Sequence, residues 1–174
     1  MSWDDFYRRR DALDAAVATA CTHPDTQLPV VTEDPLAGSS MNAIEDLSTA
    51  EGVAQALHYR WMLLLTSRVD LALLEAERTG GDLVEAVTSA WHRTAETEPA
   101  LRRVLDANPV PAASLAREHR MLALAAELAC AGDSDENIER IGAALLGLVR
   151  SAPKPVAPRC SPLSGLLRKL ALSA

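Results

Sequence analysis

The segment from about Thr49 to Arg78 constrains this chain more than any other, because its apolar residues recur at three-to-four spacing for longer than anywhere else. Run as one helix at about 1.5 Å per residue, it would span about 45 Å. Around Trp61 to Leu65 it is apolar on every side, and such a helix is normally surrounded by others. It is expected to be the central helix of a bundle, with Thr66-Ser67 as the place for a bend. Ser48-Thr49-Ala50-Glu51 supplies a capping box at its start, a hydroxyl followed three residues on by a carboxylate.

The flanking segments repeat the pattern. Trp3, Phe6, Leu13, Val17 and Ala20 form the expected buried stripe of a first helix from Trp3 to about Cys21, ended by His23-Pro24. Gly80-Gly81 stops the long helix, and Asp82 with Glu85 opens another that turns Leu83, Val87, Ala90 and Trp91 inward. Pro99 begins a short helix ended near Asn108-Pro109. Pro111 opens one expected to reach Ala131 and stop at Gly132. Asp133 or Ser134 caps the last long helix, where Ile138, Ile141, Leu145, Leu148 and Val149 share a face. Gly142 and Gly147 there would admit a close neighbour.

Alanine and leucine dominate, while β-branched and aromatic residues are scarce, which favours helix over strand. The expected fold is all-α: a single-domain bundle of about six helices over residues 1–151, with an irregular loop at 22–40. Within that loop, Leu28, Val30 and Val31 could lie on the core. Pro153, Pro155, Pro158 and Pro162 mark a stiff linker at 152–162. An amphipathic segment at 163–173 follows, with Leu163, Leu166, Leu167 and Leu170 on one stripe. About ten residues make a helix barely stable alone, so this stripe needs a groove. The choices are its own bundle, a partner protein, or a membrane surface. The last is disfavoured, since only Arg168 and Lys169 accompany the leucines.

The formal charge of −7 opposes nucleic-acid backbones. Arg8, Arg9 and Arg10 sit among Asp4, Asp5, Asp11 and Asp14 at spacings that let them pair along one helix. Arginine far outnumbers lysine, as in proteins of GC-rich bacterial genomes such as those of actinobacteria. Three separated cysteines, Cys21, Cys130 and Cys160, make no CxxC pair. Cys21 and Cys130 fall among apolar residues and read as core side chains. With an acidic amino terminus and no apolar run of about 20 residues, a cytoplasmic location is expected.

No metal, nucleotide or nucleophile motif appears, so neither a cofactor nor a catalytic residue is expected. His92 and Glu96 share a helix face and read as a surface pair. Glu118-His119-Arg120 is adjacent in sequence, so its side chains diverge around a helix. His58, Arg60, Arg68 and Asp70 interrupt the long apolar segment, and a buried charge there needs a partner such as Glu118 or Glu127. Two functional expectations follow. The first is a non-enzymatic protein–protein interaction or adaptor protein that binds another protein or itself, with Leu163, Leu166, Leu167 and Leu170 as a contact. The second is a small-ligand sensor in which Arg60 and Arg68, with Trp61 and Trp91 as walls, receive an apolar or anionic organic molecule.

Overall fold

The computed structural model describes residues 3–22, 28 and 47–151. Among these the protein is all-α, with no strand. Its helices are α1 (Trp3–Thr22), α2 (Ala50–Thr79), α3 (Leu83–Thr97), α4 (Pro99–Ala107), α5 (Ala112–Ala125) and α6 (Asp135–Ser151). The proline-rich linker at 152–162 and the leucine stripe at 163–173 lie outside the described residues, as does most of the 22–40 loop.

α2 packs against α1, α3, α4 and α5. One stripe of it, Leu57, Trp61, Leu65 and Val69, is sealed from water. Each fully buried side chain of this kind contributes about 1.5–3 kcal/mol. Leu28 and Leu47, before the helix, are buried in the same core. The helix continues through Thr66 and Ser67, where the Ser67 hydroxyl donates to the Leu63 carbonyl. Its first turn is capped one residue later than expected: Thr49, not Ser48, accepts from the Gly52 amide at 3.0 Å. It ends at Gly80, whose φ of 68° is left-handed and suits glycine.

α5 and α6 form the tightest pair. His119 abuts Gly142, and Ala123 clusters with Ile138, so the two helices run antiparallel. A Cβ on Gly142 would stand 1.9 Å from the His119 carbonyl oxygen. Only glycine permits that approach, whereas Gly147 faces open space.

Several burial expectations are corrected. Leu13 and Ala16 anchor α1, but Trp3 is 76% exposed and Phe6 and Tyr7 are also exposed. Those three rings instead pack on one another with centroids 5.6–6.4 Å apart, Trp3 and Tyr7 stacked and Phe6 edge-on to both. α2 is not enclosed on every side, since Leu63 lies outside the core. α5 ends at Ala125 rather than Ala131, which leaves Leu128 and Cys130 exposed. Leu148 is exposed on α6. Arg10 pairs with Asp11 at 3.1 Å, while Asp14 pairs with Arg60.

Candidate functional site

The polar residues of the α2 apolar segment explain the interior. His58 and Trp61 lie three apart and share a buried face. Each carries a ring N–H that needs an acceptor once water is gone. Both find it in Glu118 of α5, which is 0% exposed. His58 Nε2 is 2.9 Å from one carboxylate oxygen, and Trp61 Nε1 donates to the other at 3.0 Å. Burial pushes the Glu118 carboxyl upward, but the His58 and Trp61 hydrogen bonds and the charges of His58 and Arg102 more than offset it. The net effect holds the group below its ordinary value and keeps it ionised.

Arg102 of α4 completes the cluster. Its guanidinium lies 4.8 Å from the Trp61 ring centroid and 6.0 Å from that of Trp91. It pairs with Asp106 at 2.8 Å, one turn along α4. Trp61 and Trp91 meet edge-to-face at 5.8 Å. His92 packs edge-on against Trp91 at 5.4 Å and is buried, which corrects its expected surface position. The carboxylate, the histidine, two indoles and the guanidinium thus tie α2, α3, α4 and α5 together around two buried charges, those of Glu118 and Arg102.

Of the four residues expected around a ligand, the structure brings Trp61 and Trp91 together and sends the arginines elsewhere. Arg60 reaches Asp14 at the α1 contact, and Arg68 donates to the Arg93 carbonyl at 3.1 Å. The arginine beside the tryptophans is Arg102, which stands outside the long segment. Glu118 accepts from neither Arg60 nor Arg68, and Glu127 is exposed on the turn after α5. Both sequence neighbours of Glu118 meet α6, His119 through its backbone against Gly142 and Arg120 through its pair with Asp135, whereas the Glu118 carboxylate turns to His58 and Trp61. The signal for this cluster was two N–H-bearing rings, His58 and Trp61, three apart in an apolar run.

Beside this interior, α1, α2 and α5 part to form a cleft of about 670 Å³. Arg9 enters it from α1, His58, Tyr59 and Met62 from α2, and Ser114 and Arg117 from α5. His58 therefore belongs to both places, with Nε2 on Glu118 and the ring forming part of the cleft wall.

Among the described residues, no group of three His, Cys, Asp or Glu side chains is gathered as a metal ion would need. None of the described helices is long and apolar enough to cross a membrane. Compared with known families, curated proteins and solved structures, this chain is similar to none at a significant level.

Proposed function

We propose that this chain is a non-enzymatic binding protein that covers the outer face of α2 with another protein or with a second copy of itself. One observation carries this reading. Tyr59, Leu63, Leu71 and Leu74 are 63%, 54%, 67% and 63% exposed, although the opposite stripe of the same helix is sealed. At 100° per residue these four share an arc of about 120°, extending about 23 Å along the axis. With Ser67, residues 59, 63 and 71 form an i±4 ridge, the surface feature that interlocks with a partner helix. Large apolar side chains grouped on one exposed helix face are a feature of contact sites. The exposed rings of Trp3, Phe6 and Tyr7 add a second apolar patch on α1. The stripe Leu163, Leu166, Leu167 and Leu170 is proposed as a further contact on its spacing alone.

The test is association of the full chain carrying Leu63→Glu and Leu71→Glu. Both positions are exposed, so helicity and thermal midpoint should hold. Sedimentation equilibrium reads self-association, and tagged protein recovered from its native cell reads a partner. The wild type should associate by one route and the double variant by neither. If the two proteins behave alike in both measurements, the reading fails.

A further inference from the structure

We propose that the groove between α2 and α3 seats the same groove of a second copy of this chain, the two running antiparallel about a two-fold axis. This rests on the reading of the α2 face as a contact and names what covers it.

The groove has a volume of about 630 Å³. Alanines floor it, Ala72 and Ala76 from α2 and Ala86 and Ala90 from α3. Leu71, 67% exposed, stands in the same lining and also belongs to the α2 ridge. A large exposed side chain beside a hollow of small ones is the knob and the hole of helix packing, both on one surface. A second copy turned over supplies the other of each.

Charge sets the direction. Glu85, Ser89 and Arg93 form an i±4 ridge along α3, and all three line the groove. Glu85 and Arg93 are exposed and lie about 12 Å apart along the helix axis. The remaining charges of the lining are engaged within the chain. Arg68 donates to the Arg93 carbonyl, Glu75 pairs with Arg78, and Asp82 accepts from the Glu85 amide. Among the described residues, the side chains of Glu85 and Arg93 take part in no hydrogen bond or ion pair. The ridge therefore presents one unengaged charge at each end, of opposite sign. Reversed about Ser89, it is its own complement: Arg93 of each copy faces Glu85 of the other, and the small serine permits approach at the axis. A two-fold contact demands this self-matching. A parallel mate would set like charge on like. Arg68 and Glu75 repeat the polarity on α2, with the carboxylate nearer the α2–α3 turn.

Sedimentation equilibrium of the full chain and of two charge reversals, Arg93→Glu and Glu85→Arg, tests this. The wild type should dimerise. Each variant sets like charges together twice per dimer and should self-associate about tenfold or more weakly. Mixed in equal amounts, the two variants should form a heterodimer about as tight as the wild-type dimer, because both cross-pairs are then opposite in sign. That recovery also shows that each variant is folded. A wild-type chain that stays monomeric overturns the proposal, whether its own tail, another protein or nothing fills the groove. A protein recovered with that monomer through the α2 ridge would still uphold the reading on which the proposal rests. Undiminished self-association of either variant, or a mixture no tighter than its parts, also overturns it.

Discussion

His58 Nε2 and Glu118 Oε2 stand 2.9 Å apart, and both side chains are shut away from water. A carboxylate in that position is tolerable only because His58, Trp61 and Arg102 surround it. Unfolding releases it to its ordinary value of about 4.3. The folded value is lower, so between the two the unfolded chain binds the extra proton and stability rises with pH. The contribution is complete above the unfolded value and disappears as pH falls through the folded one. Urea midpoints measured from pH 6 down to pH 3 should therefore decline. Glu118→Gln should flatten that decline and cost about 3 kcal/mol at neutral pH, the scale for breaking a buried charged pair. His119 acts in the same sense at higher pH. Burial holds it below the usual imidazole value, the Glu118 charge opposes this and Arg150 adds to it.

Two glycines of α6 separate packing from propensity. Gly142→Ala places a methyl group inside the His119 backbone, so the α5–α6 pair must spread. A loss of about 1–3 kcal/mol or more is expected. Gly147→Ala meets nothing within 4 Å and should gain about 0.5–1 kcal/mol from helix propensity. Thermal unfolding of the two variants should move in opposite directions.

The three tryptophans should separate in fluorescence. Trp61 and Trp91 are buried, whereas Trp3 is exposed. Acrylamide should quench the Trp3 component first. Trp3→Phe should leave a blue-shifted emission that resists the quencher, with stability changed by less than about 0.5 kcal/mol.

What the sequence showed was punctuation and periodicity. Gly80-Gly81, the Asp82 cap and Pro99 place the ends of α2, α3 and α4 where the chain turns. The end of α5 was hidden because Ala126 to Ala131 still reads as good helix. There the Leu128 amide bonds back to the Ala123 carbonyl and Glu127 to Leu124, with Glu127 at φ 53°. This is a glycine-type helix stop made without glycine. Trp3 and Phe6 fit a buried stripe by spacing, but spacing cannot say how far a helix projects past its neighbours. The choice of Arg102 over Arg60 and Arg68 as the tryptophans' cation depends on where α4 crosses α2, which no local pattern records.

The Glu127 conformation carries its own expectation. A left-handed φ costs a non-glycine residue about 1–2 kcal/mol, part of which glycine returns in unfolded-chain entropy. Glu127→Gly should therefore raise the urea midpoint slightly, where an ordinary exposed Glu-to-Gly change would lower or leave it.

Photo-crosslinking from position 67, in the middle of the exposed α2 ridge, probes the binding face itself. Benzoylphenylalanine in place of Ser67, expressed in the native cell, should yield an adduct with a protein or a second copy. The same group at Arg140 should not, and Leu63→Glu with Leu71→Glu should abolish the adduct. Equal labelling from positions 67 and 140, or no adduct from either, would contradict a covered α2 face.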